Sequence, residues 1–244
     1  MSIFFRVAKT LAFRTKALLA VAFWDRKRLQ SLFSSSEISD IHGWSNIFDS
    51  MPGIRSWKGD LPAYSVSLSR NTDSPLSTEL DVIRLMYDLT RFVGAKSVSE
   101  VGIYKGACSV AFAQALSDNG GGELHCVDIL DNDFPTIRAE IEKLGDLVSS
   151  YFYHGDSAVI ASEGNLPKFD LIFIDADHSY AGVRRDVDKY WPLLKEGGVM
   201  VLHDSVMWEG VRRTAKELFE SGVKVITLAT SGGSGVTVIF GVSR

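Results

Sequence analysis

Acidic and histidine side chains follow two apolar runs of strand length in this chain. The run FDLIFI is followed by Asp175 and, three residues later, by His178. The run GGVMVL is followed directly by His203 and Asp204, which places the two aspartates 29 residues apart. Open sheets of parallel strands bind their ligands at the carboxyl ends of the strands. We therefore expect these four side chains to surround one crevice, as a metal site or an acid–base site.

The residue types in this predicted crevice allow more than one chemistry. Asp175 and Asp204 offer the hard oxygen ligands that suit Mg²⁺. A histidine ligand such as His203 would shift the preference towards Mn²⁺, Fe²⁺ or Zn²⁺. His178 can accept a proton near neutral pH, so it could be a general base, a further metal ligand or a structural hydrogen-bonding residue. The alternative for Asp204 is that it caps the segment that follows.

A strand–turn–helix pattern, repeated from residue 97 onward, must position these side chains. It predicts strands at 97–101, 123–127, 148–153, 170–174 and 199–202, with helices after the first, second, fourth and fifth of them. Two further strands, 223–229 and 236–242, flank the loop SGGSG and predict an antiparallel hairpin. The predicted fold is α/β: a doubly wound, mostly parallel seven-stranded sheet that ends in an antiparallel hairpin, with a helical N-terminal extension.

A glycine-containing turn follows the first predicted strand, in the string EVGIYKGACS at 100–109. Gly102 and Gly106 permit a tight turn and a close approach of a ligand to the backbone. The spacing E-x-G-x-x-x-G differs from the G-x-G-x-x-G of dinucleotide binders. Glu100, at the end of the strand, suits a ligand that carries a positive charge.

Two further polar positions follow the next two strands in order. Asp128 ends the second strand, where a carboxylate can accept the hydroxyls of a ribose. Asp156 and Ser157 follow the third strand, where an adenine could be held. Each position alone is a weak signal because acidic residues often cap helices. Together with the glycine turn they predict a ligand that contains a nucleoside.

Residues 97–242, about 60% of the chain, resemble a class I S-adenosylmethionine-dependent methyltransferase. The strings EVGIYKG, FDLIFIDADHSYAGVRRD and LLKEGGVMVLHDS carry the likeness. Within that class the chain is similar to the metal-dependent small O-methyltransferases, which include the catechol and caffeoyl-CoA enzymes and the macrolide-sugar and cephalosporin-hydroxylase-like group. The terminal hairpin fits this class better than an NAD-binding domain, whose sheet is normally parallel throughout.

The resemblance implies S-adenosyl-L-methionine as cofactor. Glu100 and Gly102 would line its methionine end, and Ser109 could replace the serine that such enzymes often carry at the position of Cys108. The implied cofactor residues are Glu100, Gly102, Tyr104, Gly106, Ser109, Asp128, Asp156, Ser157, Asp175 and Asp177.

The resemblance also implies a divalent metal and a catalytic base. The metal ligands would be Asp175, His203 and Asp204, and the catalytic residues would be Asp175 and His178, with His178 as the base. The chain departs from the catechol-type pattern at Ser205, where those enzymes carry an asparagine ligand. It departs from the macrolide type at His203, where those enzymes carry an acid. The implied reaction is methyl transfer to a hydroxyl of a small molecule or sugar.

Three other interpretations of the same residues stay open. A non-methylating oxygenase or hydrolase could use the metal site on the same fold. A cofactor-binding scaffold could keep the pocket without turnover. An NAD-dependent dehydrogenase is disfavoured, because the chain lacks G-x-G-x-x-G after the first strand and ends in a hairpin.

The charge of the chain is unevenly distributed. The net charge is -4, yet residues 1–30 hold seven Lys and Arg against one acid, so the remainder is acidic. An acidic body argues against extended nucleic-acid binding. Cys108 and Cys126 fall in predicted core elements, so we expect no disulfide framework and a cytoplasmic location.

The pattern predicts three regions: a basic apolar N-terminal helix at 1–30, a helical or irregular lid and connecting region at 31–94, and an S-adenosylmethionine-binding methyltransferase domain at 95–244. The helix at 1–30 could pack or make a homo-oligomer, lie on a membrane surface as a peripheral contact, or be a cleaved signal. Its longest apolar run is too short to span a bilayer.

Overall fold

The structure, a computed structural model, describes residues 60–70, 77–228, 230 and 232–241. The strands are β1 (Ser97–Val101), β2 (Gly122–Asp128), β3 (Val148–His154), β4 (Phe169–Ile174), β5 (Leu194–His203), β6 (Val225–Leu228) and β7 (Val236–Phe240). The helices are α1 (Ala63–Arg70), α2 (Leu80–Phe92), α3 (Ala107–Asp118), α4 (Phe134–Glu142), α5 (Ser157–Ser162), α6 (Tyr180–Tyr190) and α7 (Glu209–Glu220).

The seven strands form one sheet in the order β3-β2-β1-β4-β5-β7-β6. The first five strands along the chain pair in parallel, whereas β7 pairs antiparallel with both β5 and β6. The strand order reverses at β1, with β2 and β3 on one side and β4 and β5 on the other, so the loops that follow the parallel neighbours β1 and β4 diverge and open a crevice at their carboxyl ends. This is the place at which a doubly wound sheet binds its ligand.

Two apolar layers hold the sheet between the helices. On one face α2 and α3 pack against β1 and β4 through side chains such as Met86 and Phe112. On the other face α6 and α7 pack through Val183, Val187 and Val211. Every residue of β1 is buried, as expected for a central parallel strand covered on both faces. The strand ends that carry polar residues are therefore fixed by a packed core.

The predicted fold is confirmed over the described residues, with three local differences. α6 ends at Tyr190 and passes into a 3₁₀ turn at Trp191–Leu193, because Pro192 has no amide hydrogen with which to continue the helical hydrogen bonds. β5 begins at Leu194, earlier than predicted, and α5 is a short helix that the sequence pattern did not indicate. The N-terminal extension at 1–30 lies outside the described residues, as does most of 31–76.

Two further observations concern the described residues. Cys108 and Cys126 are both buried and free, in agreement with the expectation of no disulfide. None of the helices over this part of the chain is long and apolar enough to cross a membrane.

Candidate active site

A small pocket opens at the carboxyl ends of β1 and β4. Its walls include Glu100 near the end of β1, Gly102 directly after β1, Cys108 at the start of α3 and Asp175 after β4. Ser77 and Thr78, the residues that lead into α2, close another side. No sequence motif assigned Ser77 or Thr78 to the site, so their place beside the predicted cofactor residues is a finding of the tertiary structure.

Gly102 explains why the turn after β1 needs a glycine. Its φ of 85° lies in the left-handed region, and a Cβ there would overlap the backbone carbonyl of Asp175. Its amide also donates to the carbonyl of Val127 at 2.8 Å. The turn is therefore packed directly between β2 and the loop that carries Asp175, which brings the two predicted halves of the site into contact.

Asp128 organises this turn through its carboxylate. One oxygen accepts from the amides of Ile103 and Tyr104 at 2.8 and 3.1 Å, and the other accepts from the amide of Leu130 at 2.9 Å. Tyr104 has a φ of 47°, unusual for a residue with a side chain. The carboxylate thus stabilises a strained turn, a role that the sequence did not predict. Ribose binding by Asp128 stays a prediction.

Glu100 is a buried carboxyl group on the pocket wall. Ser109 donates to it at 2.5 Å, so Ser109 contacts the acid rather than standing open to a ligand. Burial raises the pKa of Glu100 well above its ordinary value, and the charges of Asp175 and Asp128 raise it further against the lowering effect of Ser109. A cationic ligand group beside Glu100 would favour its ionised form.

The polar residues after β3 lie on a separate part of the same edge. Asp156 caps α5 by accepting from the amides of Ala158 and Val159 at 3.0 and 3.2 Å. Ser157 donates to the buried Asp186 at 2.6 Å. Burial raises the pKa of Asp186 to about 6, even though the Ser157 hydrogen bond opposes the rise. Both predicted adenine-side residues therefore have structural roles, and adenine contact stays a prediction.

The acidic and imidazole groups after β4 and β5 form a tight cluster. Asp175, His178 and Asp204 each offer one ligand atom, and these atoms lie within 4.8 Å of one another. His178 Nε2 is 3.2 Å from Asp175 Oδ1 and 2.8 Å from Asp204 Oδ2. Two carboxylate oxygens and one imidazole nitrogen at such separations fit a divalent cation.

His203 lies behind this cluster and contacts carboxylates with both ring nitrogens. Nδ1 is 3.1 Å from Asp175 Oδ2, and Nε2 is 3.1 Å from Glu79 Oε2. The distance from Nδ1 to Asp204 Oδ1 is 4.0 Å. The ring therefore lies beside Asp175, with Nε2 bonded to Glu79 and Nδ1 buried without a hydrogen-bond partner among the described residues. Metal ligation by His203 stays a prediction.

The charges of the cluster shift several pKa values in opposite directions. Burial lowers the pKa of His178, but its contacts with Asp175 and Asp204 outweigh this and raise it to about 9. Burial would raise the pKa of Asp175, yet His203 and His178 hold it well below its usual range. His203 is likewise raised well above its ordinary pKa, against its burial, by Asp175 and Asp204. The cluster is thus a buried network of opposite charges.

The backbone at Asp204 and the residue Trp208 complete the chemical side. Asp204 has a φ of 60°, a left-handed conformation that costs free energy in residues with a side chain and concentrates at functional sites. The Trp208 ring stacks on the His178 ring with centroids 5.2 Å apart. Asp177 points elsewhere: it is exposed and accepts from the Ser179 amide at 2.9 Å at the start of α6.

Part of the chain is similar in sequence to known methyltransferases. Residues 99–205 match the family model of a methyltransferase domain. The chain is 30% identical over 141 residues to caffeoyl-CoA O-methyltransferase 1 of Zea mays, covering 55% of this chain and 52% of that protein. It is 29% identical over 147 residues to tricin synthase 2 of Oryza sativa subsp. japonica, covering 58% and 49%. The chain spans about half the length of these curated relatives.

Solved structures share the fold over most of the chain. The O-methyltransferase TomG of Streptomyces achromogenes, in complex with S-adenosylmethionine, superposes with a TM-score of 0.59 at 18% identity and covers 80% of this chain and 96% of that one. An O-methyltransferase of Bacillus cereus, in complex with S-adenosylhomocysteine, superposes with a TM-score of 0.57 at 17% identity and covers 83% of this chain and 100% of that one. The fold is that of the class I methyltransferases, as the sequence predicted.

Proposed function

We propose that this chain is an S-adenosylmethionine-dependent O-methyltransferase that transfers a methyl group to a hydroxyl of a small molecule or sugar, with the help of a divalent metal. The observation that carries the proposal is the position of Asp175. This residue lines the pocket beside Glu100 and Gly102, and it also belongs to the cluster with His178 and Asp204. One carboxylate thus stands between a cofactor pocket and a metal-type site.

The residues on the cofactor side have separate binding roles in this proposal. Glu100 would face the cationic methionine end, and Gly102 would allow the cofactor to approach the backbone. Gly106 and Tyr104 complete the turn, whereas Asp128, Asp156 and Ser157 would hold the nucleoside. Asp177 would contribute from the rim. Two observations support these assignments: the residues follow one another at successive strand ends, and a pocket lies at the carboxyl end of β1.

Asp175 and Asp204 would hold the divalent metal, and His203 was assigned to the same set from the sequence. A bound divalent cation lowers the pKa of a coordinated hydroxyl and orients it. The two aspartates raise the pKa of His178 to about 9, and a divalent cation held by Asp175 and Asp204 would offset their charge and lower this pKa. His178 would then accept the proton of the acceptor hydroxyl at Nε2, the ring nitrogen 3.2 and 2.8 Å from the two aspartates. The stacked Trp208 ring holds the plane of the imidazole.

A direct test combines cofactor binding with methyl transfer by the full chain. Calorimetry with S-adenosylmethionine, S-adenosylhomocysteine and NAD should give binding of the first two compounds only. Radiolabelled methyl transfer to a panel of phenolic and sugar hydroxyls, with Mg²⁺ or Mn²⁺, then identifies the acceptor class. Binding of NAD alone would contradict the proposal, and tight cofactor binding with no product on any acceptor would favour a non-catalytic scaffold.

We infer a docking role for residues 1–30 from their charge contrast with the acidic remainder of a cytoplasmic chain. Basic apolar segments bind anionic lipid surfaces or cover an apolar face of a second copy. Removal of residues 1–30 should change vesicle binding or oligomeric size, and cofactor affinity should stay nearly constant. Flotation with anionic vesicles and light scattering measure these two properties. Unchanged vesicle binding and size would contradict docking.

A further inference from the structure

A buried polar connection joins three segments behind the chemical side of the site. Glu79, directly before α2, lies 3.1 Å from His203 Nε2 through its Oε2 atom. Ser234, in the loop between β6 and β7, has its hydroxyl 3.1 Å from the same nitrogen. On the opposite side of the ring, Nδ1 is 3.1 Å from Asp175. The side chains of His203 and Glu79 are only 7% and 19% exposed, so this connection is largely removed from water.

The loop between β6 and β7 is built around Glu79. Its Oε1 atom is 3.4 Å from both the Ser234 amide and the Thr230 hydroxyl, and a Cβ on Gly232 would overlap the carboxylate. Burial alone would raise the pKa of Glu79, yet the hydrogen bond and charge of His203 lower it to about 2. Glu79 is therefore ionised, and its carboxylate is surrounded by the polar groups of His203, Thr230 and Ser234.

The same loop fixes the turn that carries Asp204. The amides of Val206 and Met207 donate to the carbonyl of Ser234 at 2.9 and 3.0 Å, and the amide of Ser205 donates to the carbonyl of Gly235 at 3.2 Å. These bonds hold the segment directly after the left-handed Asp204. At its other end, Glu79 adjoins Ser77 and Thr78, which line the cofactor pocket. The connection thus reaches both halves of the proposed site.

We propose that His203, with Glu79 and Ser234, is a positioning residue that ties Asp175 to the cofactor-pocket wall at Ser77 and Thr78, and that it is not a metal ligand. Nε2 contacts Glu79 and Ser234, and Nδ1 lies 3.1 Å from Asp175 Oδ2. Among the described residues, the group of possible ligand atoms within 4.8 Å of one another is formed by Asp175, His178 and Asp204, without His203. Loss of either charged partner leaves the other buried without compensation. The inference rests on the proposed function, because it assigns the cofactor pocket and the metal to that site.

The test measures S-adenosylhomocysteine binding by calorimetry and Mn²⁺ binding by electron paramagnetic resonance on the full chain. Glu79→Gln and His203→Gln should each weaken S-adenosylhomocysteine binding about tenfold, and the double variant should be no weaker than the weaker single variant. His203→Gln should keep Mn²⁺ affinity within about threefold of the unchanged chain and should keep any nitrogen coupling in the Mn²⁺ spectrum.

Asp133→Asn is the matched control, because Asp133 is an acidic residue directly before a helix that also makes no capping hydrogen bond. It should leave both affinities unchanged. Glu79→Asp, which keeps the charge but shortens the reach, and Ser234→Ala, which removes one contact, decide the matter if the larger changes unfold the chain. Both should weaken S-adenosylhomocysteine binding two- to threefold, roughly the effect of one lost hydrogen bond.

Three outcomes would overturn the positioning role. The first is unaltered S-adenosylhomocysteine affinity in the Glu79 and Ser234 variants. The second is strict additivity of Glu79→Gln and His203→Gln. The third is a large loss of Mn²⁺ affinity, with loss of nitrogen coupling, in His203→Gln alone, which would make His203 a ligand. Failure of the unchanged chain to bind S-adenosylhomocysteine would instead contradict the proposed function.

Discussion

The two halves of the site are built from different materials. On the cofactor side, the shape comes largely from the backbone: the left-handed Gly102, the amides held by Asp128, and the start of α5, which Asp156 caps. On the chemical side, it comes from charged side chains: Asp175, His178 and Asp204 gathered within 4.8 Å. A backbone-built pocket depends on a few hydrogen bonds and tolerates a single side-chain change, whereas an ionic cluster fails when one charge is removed.

The difference teaches that one substitution should separate binding from chemistry. The nucleoside-side residues follow β2 and β3, whereas the cluster follows β4 and β5. The two halves share the loop at Asp175, which contacts Gly102, and the connection from Glu79 through His203 to Asp175. Changes at Asp204 or His178 should therefore spare the cofactor, and changes at Asp128 should spare the metal.

The largest expected effect is on Asp204. Asp204→Asn removes one of two carboxylates proposed to hold the metal, so methyl transfer should fall below detection and Mn²⁺ affinity should drop by about 10² or more. S-adenosylhomocysteine affinity should stay within about threefold, because the cofactor residues lie on other strands. Calorimetry and a radiolabel assay measure these quantities.

Asp170→Asn provides the control for that experiment. Asp170 lies at the opposite end of β4, where it binds Lys195 and the amides of Lys96 and Ser97. It should lower stability without affecting metal affinity. Full activity of the unchanged chain in excess chelator, with no metal in the purified protein, would exclude the metal role of Asp204.

A smaller but still large effect is expected at His178. His178→Gln should lower the maximal rate by about 10²–10⁴, the usual contribution of a general base. Cofactor affinity and metal content should change little, because two carboxylates remain. Steady-state kinetics and metal analysis on the same preparation test this. A His178→Gln variant with the full rate would show that His178 is not the base. A variant that has lost its metal would show that His178 is a metal ligand.

The cofactor side should respond more weakly. Asp128→Ala removes a carboxylate that holds the Gly102–Tyr104 turn and is proposed to bind the ribose. S-adenosylhomocysteine binding should weaken by about 1–3 kcal/mol, the scale of charge-assisted hydrogen bonds. Mn²⁺ binding should be unaltered. Equal losses of both affinities in this variant would contradict the separation of the two halves.

The smallest effect on function is expected at Asp186, which accepts a hydrogen bond from Ser157 and lies outside the proposed cofactor contacts. The pKa of Asp186 is raised to about 6 by burial, so the folded state holds a proton that the unfolded state releases at lower pH. Stability should therefore fall as the pH rises from the unfolded value to about 6 and stay level above it. Asp186→Asn keeps an acceptor for Ser157 and removes that fall.

Urea unfolding below about pH 4 and above about pH 7 tests the Asp186 prediction. The Asn variant should equal the unchanged chain at the lower pH and exceed it by about 3 kcal/mol at the higher pH. A parallel pH profile in the two proteins would show that Asp186 is ionised throughout. Cofactor affinity should be the same in both, since Asp186 acts from below the pocket.

The sequence alone determined the fold and the position of the site along it. The alternation of apolar strands and helices, and the Gly/Ser loop near the end, predicted the parallel sheet and its antiparallel finish. Acids at strand ends then predicted the crevice, because parallel strands end at one edge. The local pattern was sufficient here because it depends on hydrophobic periodicity and turn chemistry, which act over a few residues.

Only the tertiary structure decided which partners each polar residue has. Glu79 and Ser234 are 124 and 31 residues from His203 in the chain, yet both contact its ring. Asp186, inside α6, accepts from Ser157 across 29 residues. No local pattern marks such residues, because a buried charge is stabilised by groups that meet only when sheet, hairpin and helix pack together. The sequence placed the acids and histidines; packing decided which of them face one another.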